Sequence, residues 1–235
     1  MISRSMAGLA ALATAASLGL LAGCGGSSSA PRPTAEQLLR QSAHALARLR
    51  TVVVDATFPP GVTYQGFKVQ SVNSKVRLPS DSDTTFQVKQ QDFLVDVEVI
   101  QVAGQAYIKL PFSTFSKLSP AQASQIPNPA SLFNPRTGLP AVLPEGRQAK
   151  LTGSERIDGH DSWRLSAVYP AAMAGQLLGG VRPLGDVTAT LWIGKDDHLI
   201  RKAVLAGPLV AAGASSKVTI HLRDFNGKVD ITPPS

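Results

Sequence analysis

Val187-Thr188-Ala189-Thr190-Leu191-Trp192-Ile193, then Gly194-Lys195-Asp196-Asp197, then His198-Leu199-Ile200-Arg201-Lys202-Ala203-Val204-Leu205-Ala206 is the stretch that decides the fold. Val187, Ala189, Leu191 and Ile193 fall on one face of an extended chain, the two-residue period of a half-buried strand. The Lys195-Asp196-Asp197 link is too short for a crossover to a parallel partner, which needs about a dozen residues. The strand that follows must therefore run back beside the first.

The same alternation recurs outward from this hairpin. Strands are predicted near 51–58, 67–78, 83–90, 93–102, 104–110, 147–157, 161–169, 186–194, 198–206 and 216–225. Ala103-Gly104-Gln105 and Asp158-Gly159-His160-Asp161 are equally short links. Ahead of the strands, Thr34 with Gln37 three residues later is a capping-box signal. Ala35, Leu38, Leu39, Ser42, Leu46 and Leu49 follow at helical spacing, predicting about four turns of helix through Arg50. The fold class expected is α+β, a curved antiparallel sheet with helices laid over one face.

Two segments interrupt the strands. Pro111 to Pro144 holds seven prolines and no acidic residue, among Phe112, Phe115, Leu118, Ile126, Leu132, Phe133, Leu139, Val142 and Leu143. Proline at that density forbids a long helix or a central strand and leaves short helical turns and loops, apolar enough to lie on something greasy. The second, Pro170 to Val181, carries Met173, Leu177 and Leu178 at helical spacing, with Gly179-Gly180 as a stop.

The N-terminus reads as an address. A basic start at Arg4, an uncharged apolar stretch from Met6 to Ala22 and small residues at the end form an export signal over 1–23. The stretch is too short and too rich in Ala and Gly to span a membrane well. It closes on Leu21-Ala22-Gly23-Cys24, which resembles the bacterial lipobox and holds the only cysteine of the 235 residues. That resemblance implies diacylation of Cys24 and cleavage before it, and two acyl chains anchor a protein stably where one does not. Gly25 to Pro33 has nothing to bury and reads as a flexible tether, so the division expected is signal 1–23, lipidated Cys24 and tether 24–33, and one domain 34–235. A single cysteine excludes an intramolecular disulfide.

The chain carries Lys+Arg 23 against Asp+Glu 16, a formal +7. Residues 1–23 hold one Arg and no acid, so the positive charge belongs to the exported part. The cations are scattered and never form a run of three, which favours attraction to an anionic surface over a nucleic-acid groove.

Glu155-Arg156-Ile157-Asp158-Gly159, Trp163-Arg164-Leu165, Val187 to Ile193, His198 to Ala203 and Val218-Thr219-Ile220-His221-Leu222-Arg223-Asp224-Phe225-Asn226 resemble, in order and spacing, the actinobacterial LppX/LprA/LprF/LprG lipoprotein family, most clearly over 154–232. The resemblance implies an antiparallel half-barrel covered by helices, with an apolar cavity that holds an acylated lipid or glycolipid. It further implies a carrier at the outer face of the plasma membrane or in the cell envelope, in some members beside a membrane transporter.

The chemistry of catalysis is hard to find. His44, His160, His198 and His221 have no metal-ligand spacing, and no nucleophile elbow, phosphate loop or zinc-protease motif is present. Asp81, Asp83, Asp196 and Asp197 fit turns better than a calcium loop. Asp96 and Glu98 share one face of a strand about 7 Å apart, a spacing that a hydrolase could use but that a solvated outer face, with apolar Val on the inner one, explains better. The expectation is no enzyme, no cofactor and no metal.

The inward faces are read as Val95, Val97 and Val99; Ala106 and Ile108; Trp163, Leu165 and Ala167; Val187, Ala189, Leu191 and Ile193; and Val218, Ile220 and Leu222. Of these, Val95, Val97, Val99, Ile108, Leu165, Val187, Ala189, Leu191 and Ile193, with Leu177 and Leu178 from the second interruption, are the expected cavity wall. A close-packed core would show the same pattern, because burial is favourable in either case. Small side chains and few aromatics (eight Phe, three Tyr, two Trp) lean toward a cavity, as does the resemblance. Arg136, Arg147 and Arg182 are available for an anionic headgroup. A solid-cored envelope adaptor that binds a protein partner is the alternative.

Overall fold

The computed structural model describes residues 32–64, 67–178, 181–210 and 215–234; Cys24, the signal, most of the tether and the Gly179-Gly180 stop lie outside them. Helix α1, Ala35–Leu46, opens the domain. The Thr34 hydroxyl accepts from the Gln37 amide at 3.2 Å, and the Gln37 side chain accepts from the Thr34 amide at 2.9 Å. This reciprocal cap satisfies two of the free donors that every helix start leaves. Ala35, Leu38, Leu39, Ser42, Ala43 and Leu46 form the buried face.

The helix stops one turn short of Arg50. Arg48 and Leu49 donate to carbonyls three residues back, which tightens the last turn. The Arg50 amide then donates to the Asn226 side chain at 2.9 Å, and the chain turns into the sheet.

The strands are β1 (Thr51–Thr57), β2 (Thr63–Tyr64), β3 (Phe67–Arg77), β4 (Asp81–Gln90), β5 (Phe93–Val102), β6 (Gln105–Lys109), β7 (Ser116–Lys117), β8 (Arg147–Ile157), β9 (His160–Tyr169), β10 (Val187–Gly194), β11 (Ile200–Gly207) and β12 (Ser216–Arg223). Every predicted strand is present to within a few residues. The two that were not predicted, β2 and β7, are two-residue bridges, too short to show a period.

All pairings are antiparallel, in the order β7-β6-β5-β4-β3-β1-β12-β11-β10-β9-β8, with β2 attached to β3. The sheet is not closed into a barrel, since β7 and β8 are free edges. β1 sits at its centre, with Ala56 opposite both Val72 of β3 and Ile220 of β12. First and last long strands thus lie side by side, a neighbourhood that no local pattern shows.

A β-bulge interrupts the deciding hairpin: Trp192 pairs with Lys202 but Ile193 with Ile200, which leaves Arg201 as the extra residue. Its guanidinium pairs with Asp197 and lies over the Phe225 ring at 4.7 Å.

The proline-rich interruption folds as expected into short pieces: α2 (Pro120–Ala123), a 3-10 turn at Pro129–Phe133, α3 (Leu139–Val142) and a second 3-10 turn at Leu143–Glu145. Helix α4, Ala171–Leu177, fills the second interruption. With α1 these pieces cover the concave face of the sheet. One apolar cluster joins Leu38, Leu39 and Leu46 of α1, Phe133 and Leu143 of the cover, and Val52, Leu165, Leu191 and Val218 of the sheet.

Candidate functional site

Alternation places Val54 and Ala56 of β1 with Phe58 just beyond it, Val69 and Val72 of β3, Phe86 of β4, Ala189 and Leu191 of β10, Ile200, Ala203 and Leu205 of β11, and Val218, Ile220 and Leu222 of β12 on one concave surface. Together with Leu132, Phe133, Leu139 and Leu143 of the cover, and Leu178 and Val181 beyond α4, they line a cavity of about 140 Å³. Its wall is almost wholly aliphatic and aromatic.

The cavity runs along most of the strands' length, from Ile200, the first residue of β11, and Leu222, near the end of β12. Val52, Val76, Ile193 and Leu46, at the end where β1 begins, are buried in packed contact and do not border it. Phe58, Val62, Val69 and Val181 mark its extent in the opposite direction.

Few polar groups face the space, and the buried ones are satisfied. Ser74 shares a hydrogen bond with Thr84 at 2.8 Å between hydroxyl oxygens, both residues fully buried. Tyr169, 0% exposed, donates its hydroxyl to the Leu143 carbonyl at 3.0 Å. Burial there pushes the phenol above the ordinary tyrosine range, because a phenolate would lose its hydration. The side chain of Asn128 donates to the Ser80 carbonyl at 2.6 Å and accepts from the Ala130 amide at 2.9 Å. That residue caps the first 3-10 turn and ties the cover to the β3–β4 turn.

Of the residues expected on the wall, Leu178, Ala189 and Leu191 border the cavity. Leu165, Val187 and Ile193 are buried in the core beside it. The side chain of Leu177 lies outside the described set.

Val95, Val97, Val99 and Ile108 do not reach the cavity. They occupy the concave face, as the pairing of Val97 with Phe86 requires, but on flanking strands where the sheet runs past the cover. Val95, Val97 and Ile108 are half-buried and Val99 is buried. The correction is one of strand order: the space lies under the central strands, and β6 and β5 are second and third from an edge. The walls supplied by β1, β3 and β11 were missed for the same reason. Alternation marked the β1 face, and nothing local marks it as central.

Arg136, Arg147 and Arg182 are exposed, and none of the three lines the cavity. Asp96 and Glu98 point away from it, on the convex face, where Glu98 accepts from the Lys109 ammonium at 2.8 Å. Among the described residues no group of His, Cys, Asp and Glu side chains gathers as a metal site would require.

The model of the LppX_LprAFG lipoprotein family matches residues 34–231. The chain belongs to that family. It is 27% identical to the lipoarabinomannan carrier protein LprG of Mycolicibacterium smegmatis over 96% of this chain and 94% of the relative. It is 26% identical to the protein of the same name in Mycobacterium tuberculosis, over 98% and 95%. Among solved structures, LprF from Mycobacterium bovis superposes with a TM-score of 0.68 at 21% identity, over 87% of this chain and 99% of that one. LppX from Mycobacterium tuberculosis gives 0.61 at 21% identity, over 84% and 98%. These two share the fold, an open antiparallel sheet with few helices.

Proposed function

We propose that this protein is an envelope lipoprotein, anchored through diacylated Cys24, that takes the acyl part of a lipid or glycolipid into the cavity and carries or presents it for transport. The observation that carries the reading is the cavity itself: aliphatic side chains from five strands meet a proline-rich cover across an unfilled space. Close packing would have filled it. Relatives named as lipoarabinomannan carriers support the same reading.

The driving force is burial, about 0.8 kcal/mol for each methylene removed from water. A space of about 140 Å³ suits a benzene-sized guest, and an acyl chain is several times larger. Uptake therefore moves the cover, whose helical pieces are only three to five residues long. The headgroup stays outside, near exposed cations such as Arg147 and Arg182, and the protein supplies no reacting group. A membrane transporter is the partner expected to receive or deliver the lipid.

The test is uptake of a fluorescent acyl probe by residues 33–235, a span that holds every described strand and core side chain. Saturable uptake that Ala203→Phe lowers about ten-fold, with the melting temperature kept, supports the reading. Lack of uptake by the unaltered protein overturns it.

A further inference from the structure

Because every strand pairing is antiparallel, the turns gather at two ends of the sheet, and the ends differ in chemistry. One end carries the links after β3, β5, β8, β10 and β12. There Asp158, Asp161, Asp196, Asp197 and Asp224 are exposed beside Arg50, Arg156, Arg223 and Lys228, and no large apolar side chain among the described residues is.

The other end carries the connections that leave β1, β4, β6, β9 and β11. All six large apolar side chains exposed among the described residues stand on it: Phe93, Leu94, Leu110, Phe112, Leu184 and Val210. Phe93 is 71% exposed and Phe112 fully so. Single exposed apolar residues are ordinary, but their concentration at one end is not. The loops there touch one another: the Leu184 amide donates to the Pro208 carbonyl at 2.8 Å. A Cβ on Gly61 would stand 2.8 Å from a methyl of Val210.

The charge at this end complements an anionic partner. Lys68, Lys89, Arg147, Arg182 and Lys217 are exposed there, against Asp92, Glu145 and Asp186. Exposed aromatic and aliphatic side chains set among cations are the composition that enters the headgroup region of an anionic bilayer, the cations drawn to lipid phosphates and the apolar groups inserted beneath them. The cavity reaches this end, with Val62, Val69 and Val181 in its wall.

We infer that this end is the face by which the protein docks on an anionic lipid bilayer, so that an acyl chain passes between membrane and cavity without crossing water. The inference rests on the carrier reading above and adds the surface through which loading occurs.

The experiment is co-sedimentation of residues 33–235, which lack Cys24, with phosphatidylcholine vesicles that do or do not contain phosphatidylglycerol. Binding is expected only with phosphatidylglycerol, and weaker in high salt. Phe93→Ser with Phe112→Ser, and separately Lys68→Gln with Lys217→Gln, should each lower it about ten-fold. Arg156→Gln with Lys228→Gln, at the other end, should leave it unchanged. These side chains are exposed, so the variants keep the fold. Equal binding by all variants, no binding to either vesicle, or a concentration-dependent dimer that the Phe93/Phe112 pair of changes abolishes would each overturn the docking face. Acyl-probe uptake on the same samples separates the two ideas: retained uptake without vesicle binding removes the docking face alone, and absent uptake removes the carrier reading.

Discussion

Tyr169, at the end of β9, reaches across the sheet–cover boundary and donates its hydroxyl to the carbonyl of Leu143 at 3.0 Å, with no exposed surface on the tyrosine. The bond joins the wall of the cavity to the piece of cover that leads into β8. Its geometry depends on Gly146, where a Cβ would stand 2.8 Å from the Tyr169 hydroxyl and 3.0 Å from the Ala167 methyl.

Gly146→Ala should therefore destabilise the protein by about 1–3 kcal/mol, the usual cost of forcing a methyl into a packed site. Tyr169→Phe should cost about 1 kcal/mol, and the double variant less than the sum, because removing the hydroxyl relieves the closest clash. Urea unfolding of the three variants measures this; strict additivity would mean that the two residues do not share one contact.

The buried phenol also sets an alkaline limit. Its pKa is raised in the folded state, so its contribution is fully present below the ordinary tyrosine pKa of about 10 and is lost as pH climbs toward the folded value. Across that window stability should fall by up to about 1.4 kcal/mol per pH unit from this group, since the unfolded chain releases a proton that the native one keeps. Tyr169→Phe should flatten the fall, as followed by thermal melts above pH 10; an unchanged slope would assign it to other groups.

Asn128 makes a second tie, from the cover to the Ser80 carbonyl. Asn128→Ala removes this bond and the cap on the Ala130 amide, at about 1 kcal/mol. If the cover must move for a guest to enter, acyl-probe uptake should become several-fold faster in stopped-flow mixing, with similar capacity. An unchanged rate would mean that entry does not pass this point.

The anchor is testable on the full chain. Cys24→Ala should shift the protein from the membrane pellet to the soluble fraction, because no diacyl group is then attached. Persistence in the pellet after a salt wash would contradict lipidation as the anchor.

Much of the fold was legible because its signals are local. The two-residue period of β10, the Thr34 and Gln37 cap and the prolines of 111–144 each act over a few residues, and the strands, helix and broken cover follow from them. The helix expected from the sequence runs past the end of α1 because Leu49 keeps helical spacing and burial after the backbone has already turned toward Asn226. The site was less legible. Val97 and Leu191 look alike in sequence, yet only Leu191 borders the cavity, a difference made by the pairing of β1 with β12. Strand order is non-local, and so the inward face was read correctly while the part of it beneath the cover was not.

Native mass spectrometry of residues 33–235, purified without detergent from a host that makes acylated glycolipids and followed by organic extraction, tests the central claim most directly. The account predicts a stoichiometric adduct of lipid mass that extraction releases and that Ala203→Phe abolishes. A bare polypeptide mass from the unaltered protein, with no uptake of an added acyl probe, would contradict it.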